Sequence, residues 1–226
     1  MEELLLGIDD AGRGPVIGPL VLAGCLIKEK NQKPLKELGV KDSKDLTPKR
    51  REFLYNKITE LSESFEIISV FPKEIDGSES SSSSRIKLNE IEANAAAEII
   101  NKLNKKSGRI KIVLDCPSTN LSKWKDYLLT KIDDPSNLDI FCEHKADKNH
   151  VSVSAASIIA KQTREKEMSK LREVYGDEIG SGYCSDPSTI KFTEKYAIKY
   201  KEEGIFRKSW TTWIQASNKI EQKKLF

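Results

Sequence analysis

Four aspartates lie beside apolar segments, where carboxylate groups could do chemistry: Asp9, Asp10, Asp115 and Asp147. Residues 4–8 and 110–114 are apolar enough for buried strands, and each run ends at one of these acids. If the two strands are neighbours in one sheet, Asp9 and Asp115 come together, and such carboxylates repel each other unless cations neutralise them. Hard oxygen ligands suit Mg²⁺ or Mn²⁺, and two such ions about 3.5–4 Å apart can activate water for phosphodiester hydrolysis.

A simpler interpretation exists for each aspartate taken alone. An Asp directly after a strand is usually a turn or cap residue, and this role is favoured for Asp115 or Asp147 in isolation. Asp9 and Asp10 are harder to explain in this way, because two adjacent acids beside an apolar strand end are electrostatically costly. Spacing alone leaves the metal site and the turn role open.

A glycine-rich turn follows the first pair of aspartates. Gly12, Arg13 and Gly14 present successive main-chain N–H groups with little side chain in the way, so a ligand can approach closely. Such a turn can bind a phosphate or a hydroxyl group, and Arg13 adds positive charge. Taken alone, a Gly-x-Gly sequence is more often a simple tight turn.

Apolar periodicities predict the elements that must position these residues. Besides the two strands above, we predict strands over residues 16–27, 65–71 and 138–142, and helices over residues 47–62, 88–103, 121–131, 151–175, 186–200 and 209–224. This order predicts an α/β sheet flanked by helices, with a helical C-terminal part. The serine-rich residues 78–84 are predicted to form a mobile loop.

Composition excludes several classes of protein. The chain of 226 residues has a net charge of only +3, and apolar residues are too plentiful for a disordered chain. No apolar run approaches the roughly 20 residues of a membrane-spanning helix, and the acidic start is unlike a secretory signal. The cysteines form no metal-binding motif. Because the start is unlike an export signal, we expect reduced thiols and a cytoplasmic protein.

Residues 7–19, with the sequence GIDDAGRGPVIGP, resemble the opening of type 2 ribonucleases H (ribonuclease HII). Further segments match that family in the same order: residues 41–44, 88–93, 113–115, 145–147, 153–161, 180–187 and 207–210. These motifs span nearly the whole chain, and several are long and specific. The resemblance is to the archaeal, single-subunit branch of the family.

The resemblance implies a ribonuclease H-like α/β fold, with a mixed sheet flanked by helices and a small helical C-terminal region. We therefore expect a catalytic domain over residues 1–177 and a C-terminal helical region over residues 178–226 that packs on it. The family hydrolyses the RNA strand of RNA–DNA hybrids. It also incises DNA duplexes on the 5′ side of embedded ribonucleotides, leaving 3′-hydroxyl and 5′-phosphate ends.

The resemblance also implies roles for single residues. Catalysis and the binding of two divalent cations, Mg²⁺ or Mn²⁺, fall to Asp9, Asp10, Asp115 and Asp147. Substrate binding falls to Gly12, Arg13, Gly14, Lys41, Lys44 and Tyr183. In that set the glycine-rich turn recognises the ribose 2′-hydroxyl, mostly through its main chain, and Tyr183 packs against the sugar of the following nucleotide. A half-buried core position is the alternative for Tyr183.

One position departs from the family pattern, in which the second acid is Glu rather than Asp10. Asp is one methylene shorter, so its carboxylate falls roughly 1.5 Å short of the point that Glu would reach. We predict a retained fold and substrate binding, with reduced or altered metal-dependent activity. Two alternatives stay open: a nucleic-acid-binding protein of the same fold with little or no turnover, and another ribonuclease H-like nuclease such as a junction resolvase. The glycine-rich turn and Tyr183 argue against the second.

Although the total charge is close to neutral, the chain has two basic segments. Residues 41–51 carry five Lys or Arg against two Asp, and residues 195–226 carry eight Lys or Arg against three Glu. Such segments can contact the phosphates of a duplex. Residues 222–226 are similar to a peptide that binds a sliding clamp, and a frayed basic tail is the alternative. We expect a monomer with no membrane partner.

Overall fold

The structure is a computed structural model that describes residues 3–40, 46–77, 87–104 and 108–223. Its five strands are β1 (Leu4–Ala11), β2 (Leu20–Lys28), β3 (Ser64–Val70), β4 (Ile110–Asp115) and β5 (Leu138–Glu143). They form one sheet in the order β3-β2-β1-β4-β5. Because β1 pairs antiparallel with β2 and parallel with β4, the sheet is mixed and its first strand lies at the centre. The predicted fold class is confirmed.

The helices within the described residues are α1 (Gln32–Glu37), α2 (Pro48–Leu61), α3 (Pro72–Asp76), α4 (Leu88–Leu103), α5 (Leu121–Leu129), α6 (Val151–Tyr175), α7 (Pro187–Tyr196) and α8 (Thr211–Lys223). The bounds of α4 and α6 are those that periodicity predicted. The predicted start of α2 is also confirmed, because Thr47 accepts a hydrogen bond from the Arg50 N–H and Pro48 is the first helical residue. Within the described ranges, no helix is long and apolar enough to cross a bilayer.

The chain divides into two compact units, each built from segments that are distant in sequence. The first unit comprises Met1–Ala11, Val21–Ile68 and Lys87–Gln162. The second comprises Gly12–Leu20, Ser69–Ile86 and Thr163–Phe226. The division into domains at residues 177 and 178 stays a prediction.

In the first unit, the central strand and α6 approach each other very closely. A Cβ atom on Gly7 of β1 would lie 2.1 Å from the carbonyl carbon of Ser152 and 2.2 Å from the nitrogen of Val153. Only glycine permits this approach, so β1 determines where the first turn of α6 lies. Apolar residues of that helix, among them Ile158 and Ile159, are fully buried in the core of this unit.

The second unit has its own apolar core: Val16, Ile17, Met168, Ile179, Phe192, Ile205 and Phe206. Residues 16 and 17 therefore do not belong to the strand predicted over residues 16–27, which begins at Leu20 instead. Their N–H groups donate to the carbonyl oxygen of Gly182, at 2.9 and 3.2 Å. The apolar pattern predicted correctly that these residues are buried, but a later part of the chain buries them rather than a neighbouring strand.

Candidate active site

Two neighbouring parallel strands bring two of the predicted aspartates together. Ile8 of β1 pairs with Leu114 of β4, so Asp9 and Asp115 follow this pair at the same edge of the sheet. Asp147 lies in a short helical turn, Ala146–Lys148, shortly after β5. Carboxylate oxygens of Asp9, Asp115 and Asp147 all lie within 4.8 Å of one another, and we call these three residues the carboxylate cluster. The predicted proximity of Asp9 and Asp115 is confirmed.

Local hydrogen bonds connect the loop that carries Asp147 to β4. The Asp115 carboxylate accepts a hydrogen bond from the N–H of Ala146 at 3.3 Å. Just before Ala146, Lys145 takes the left-handed conformation with a φ of 57°. The Ser154 hydroxyl, in the first turns of α6, donates to the carbonyl oxygen of Asp147 at 2.5 Å. The backbone around Asp147 is therefore tied to the end of β4 and to the start of α6.

The electrostatics of the cluster centre on Asp9, which is only 6% exposed. Burial raises the pKa of Asp9 well above its usual range, and the negative charges of Asp10 and Asp115 raise it further. Hydrogen bonds from the Ser157 side chain and from the Asp10 N–H, the latter at 2.7 Å, act in the opposite direction. In the absence of a cation, a buried carboxylate among like charges is driven towards its neutral form. A divalent cation in the cluster would favour the charged form instead.

The donor set suits a hard cation. All three ligands of the cluster are carboxylates, which is the chemistry that Mg²⁺ and Mn²⁺ prefer. The two histidines are engaged elsewhere: His144 Nδ1 lies 3.1 Å from the carbonyl oxygen of Cys116, and His150 Nε2 lies 2.8 Å from the Glu143 carboxylate. Each contact occupies one ring nitrogen of its histidine.

Asp10 lies beside the cluster but is not one of its three members. Its main chain pairs with Leu22 of β2, and it lines a small pocket together with Asp9, Asp115 and Glu92. Glu92, on α4, is 1% exposed, and sequence reasoning assigned it no role. The available signal was its position inside the 88–93 motif.

In the second unit, the glycine-rich turn has one packed side and one open side. Gly12 has a φ of 84°, and a Cβ atom there would lie 2.3 Å from the Arg164 Nε and 2.7 Å from the carbonyl oxygen of Pro19. Glycine is therefore required at this position by both conformation and space. At Gly14, by contrast, no atom lies within 4 Å of the Cβ position. We call residues 12–14 the glycine turn.

Tyr183, in the same unit, is 43% exposed. The guanidinium carbon of Arg164, a residue that is 6% exposed, lies 5.0 Å from the centroid of the Tyr183 ring. The preceding loop is held by Asp186, which accepts hydrogen bonds from the N–H and the hydroxyl of Ser181, both at 2.7 Å. These bonds lower the pKa of Asp186 to about 2.

Several predicted features lie outside the described residues. They are Lys41, Lys44, the serine-rich residues 78–84 and the last three residues of the chain. The predicted substrate-binding residues therefore divide into two groups. The glycine turn and Tyr183 lie in the second unit, and the two lysines lie in a segment that is not described.

Comparison with known proteins is consistent with this geometry. The family model described as "Ribonuclease HII" matches residues 6–213. The chain is 42% identical over 225 residues to ribonuclease HII of Methanococcus maripaludis, covering 99% of this chain and 91% of that protein.

Solved structures agree with the sequence matches. The ribonuclease H2 of Pyrococcus horikoshii is similar with a TM-score of 0.83 and 38% identity, covering 96% of this chain and 99% of that one. An Archaeoglobus fulgidus ribonuclease HII, solved in complex with PCNA, is similar with a TM-score of 0.77 and 36% identity, covering 93% of this chain and 96% of that one. The match to the family model and these identities over nearly the full length place the chain in the ribonuclease HII family, a family of endoribonucleases.

Proposed function

We propose that the protein is a metal-dependent endonuclease that hydrolyses the RNA strand of RNA–DNA hybrids. We further propose that it incises DNA duplexes on the 5′ side of embedded ribonucleotides, leaving 3′-hydroxyl and 5′-phosphate ends. The observation that carries the proposal is the carboxylate cluster, whose three side chains converge at one edge of the sheet. Such convergence of carboxylates, one of them 6% exposed, is costly without a cation.

The cluster residues would hold Mg²⁺ or Mn²⁺, with Asp10 as a fourth carboxylate beside them. When bound, two such ions would supply an activated water and neutralise charge on the departing 3′ oxygen. The chain's own part is to keep the carboxylates in place. Ser157 hydrogen-bonds to Asp9 and favours its charged form, and the Ala146 N–H holds the Asp115 carboxylate.

Recognition of the ribose falls to the glycine turn, which follows Asp9 in the sequence by three residues. The open side at Gly14 would accept the sugar edge that carries the 2′-hydroxyl, which is the group that distinguishes RNA from DNA. The exposed ring of Tyr183 would pack against the next sugar. Lys41 and Lys44 would contact phosphates, and this contribution would weaken with salt.

The test is a nicking assay on a DNA duplex that contains one ribonucleotide. We expect incision on the 5′ side of that nucleotide in Mg²⁺ or Mn²⁺ and none in EDTA, while an all-DNA duplex of the same sequence stays intact. Cleavage that ignores the 2′-hydroxyl would favour another nuclease of this fold. Incision that is unaffected by EDTA would contradict the role of the cluster.

A second candidate is a protein of the same fold that binds nucleic acid with little turnover. The observation in its favour is Asp10, which is one methylene shorter than the family's Glu and is not among the three clustered carboxylates. In the same assay, this candidate predicts tight binding of the ribonucleotide-containing duplex without incision in either metal.

We also propose that residues 222–226 bind a sliding clamp. Two observations support this: the similarity of these residues to a clamp-binding peptide, and the Archaeoglobus fulgidus relative, which was solved in complex with PCNA. Deletion of these residues is expected to abolish retention by an immobilised archaeal clamp while incision of a short duplex continues at the parent rate. Unchanged retention would assign the tail no part in clamp binding.

A further inference from the structure

The guanidinium group of Arg207 is buried beneath the glycine turn, within the second unit. The residue is 0% exposed, although it carries a full charge. Its Nη2 donates to the carbonyl oxygen of Gly12 at 2.6 Å, and its Nη1 donates to that of Arg13 at 2.8 Å. The Nε and Nη2 atoms also donate to the carbonyl oxygen of Gly18, at 3.1 and 3.0 Å.

Trp210 completes the set of contacts. Its indole Nε1 donates to the carbonyl oxygen of Gly14 at 3.0 Å, and its ring lies 5.0 Å from the guanidinium carbon of Arg207. Every carbonyl group of the glycine turn therefore accepts a hydrogen bond from one of two side chains that are three residues apart in the sequence. Both belong to the 207–210 motif of the sequence.

These bonds determine where the N–H groups of the turn point. A trans peptide is planar, with its C=O and its N–H on opposite sides. When Arg207 holds the carbonyl groups of Gly12 and Arg13, the N–H groups of Arg13 and Gly14 must point away from Arg207. Beside them, the space at the Cβ position of Gly14 is open, because no atom lies within 4 Å of that position.

Burying an arginine at this position lowers the stability of the fold more than burying an apolar side chain would. Its desolvation costs free energy, and burial together with the charge of Arg164 lowers the pKa of Arg207 to about 10. An apolar side chain would fill the core at a lower cost in free energy, but it would leave three carbonyl groups without these donors. The planar guanidinium suits the task, because its five N–H donors lie in a fixed geometry.

The 207–210 segment is itself held firmly. Asp76, at the end of α3, accepts hydrogen bonds from the N–H groups of Lys208 and Ser209, at 2.7 and 3.1 Å, and from the Ser209 hydroxyl at 2.5 Å. The segment between Arg207 and Trp210 is thus held by a carboxylate of the same unit.

We propose that Arg207 and Trp210 are positioning residues for ribose recognition, holding the carbonyl groups of the glycine turn so that its N–H groups face the 2′-hydroxyl. Neither residue touches the substrate. The proposal rests on the function proposed above for the turn, and it adds the side chains that make the turn selective. Loss of either should therefore reduce discrimination between ribose and deoxyribose more than it reduces general affinity for a duplex.

The first experiment compares affinities for a duplex with one ribonucleotide and for the all-DNA duplex, in EDTA so that neither is cut. We expect Arg207→Lys, which keeps the charge but loses the planar fork, to lower the ratio of the two affinities about tenfold. Trp210→Phe should lower it about threefold. Phe192→Leu is the matched control, because it weakens the core of the same unit without touching the turn, and its ratio should equal that of the parent protein.

The second experiment measures hydrogen exchange of the amides in residues 12–14 of the free protein. Arg207→Lys should accelerate exchange there, whereas Phe192→Leu should not do so selectively. An affinity ratio in Arg207→Lys equal to that of the parent overturns the proposal, even if exchange is faster. A parent protein without any preference for the ribonucleotide would contradict the proposed function, and the exchange data would then decide separately whether Arg207 holds the turn.

Discussion

Two members of the carboxylate cluster, Asp9 and Asp115, are positioned by main-chain pairing, whereas the glycine turn is positioned by side chains from a distant part of the sequence. Asp9 and Asp115 lie together because β1 and β4 pair in parallel register. The carbonyl groups of the turn are held by Arg207, which follows Gly12 by 195 residues. A register depends on many backbone bonds, so loss of one cluster side chain should leave the fold intact. The turn depends on very few groups, so small changes there should alter both conformation and binding.

The largest expected effect comes from Asp115→Asn. We expect incision to fall at least about 10³-fold, because the site loses a charged ligand whose interactions are worth several kcal/mol. The melting temperature should stay close to that of the parent protein, since strand register does not depend on this side chain. The control is Asp139→Asn on β5. Asp139 forms an ion pair with the exposed Arg109, and this variant should retain full activity. If Asp115→Asn unfolds, the fold depends on this side chain and not on strand register alone.

The next effect concerns the length of the side chain at position 10. Asp10→Glu should raise the incision rate in Mg²⁺ by about tenfold to 10²-fold, because an error of about 1 Å in placement can cost that much. Asp10→Gln has the same length without the charge and should not show this gain. Rates for Asp10→Glu and the parent protein that are equal in both Mg²⁺ and Mn²⁺ would show that the missing methylene is unimportant.

Two glycines of the turn should respond in opposite ways to the same substitution. Gly12→Ala should cost about 1–3 kcal/mol of folding free energy, because the backbone is left-handed and the Cβ position is occupied. Gly14→Ala should leave the unfolding free energy unchanged but weaken binding of the ribonucleotide-containing duplex about tenfold, since the new methyl group stands on the open side. Chemical denaturation and binding assays on both variants check this. Equal destabilisation would mean that Gly14 is also packed.

The smallest expected effect is a pH dependence of stability from Asp186. Its pKa is lowered to about 2 in the folded protein by hydrogen bonds from Ser181. A lowered folded pKa stabilises the protein above the pKa of the unfolded chain, near 3.9. The difference in unfolding free energy between the parent protein and Asp186→Asn should thus be constant above about pH 5 and shrink as pH falls towards 2. A difference that grows on acidification would contradict a lowered pKa of Asp186 in the folded protein.

Sequence reasoning succeeded where local pattern determines structure. The Ala-rich run of α4 and the long apolar repeat of α6 predicted the bounds of both helices, because helical spacing is a property of neighbouring residues. The apolar runs of β1 and β4 predicted that Asp9 and Asp115 would meet if the two strands were neighbours, and the structure shows that these strands pair in parallel.

Sequence reasoning failed where contacts join distant segments. Val16 and Ile17 have the pattern of a strand, yet they pack beneath Gly182 and Phe206. Nothing periodic connects Arg207 with Gly12, so the role of the 207–210 motif became visible only in the hydrogen bonds. Glu92 was missed for a similar reason, since its burial beside Asp9 depends on how α4 crosses the sheet.

The contact at Gly7 affects the distance between two carboxylates of the cluster, those of Asp9 and Asp147, although Gly7 is not itself a member of the cluster. The backbone of β1 and the first turn of α6 are separated there by less than one methyl group would need. Asp9 follows Gly7 on the strand, and Asp147 precedes the same turn of the helix, so this separation governs how far apart their carboxylates stand. Because Mg²⁺ binds oxygen at 2.0–2.1 Å and Ca²⁺ at 2.3–2.6 Å, the ionic radius that suits the proposed metal site would depend in part on a glycine without any functional group.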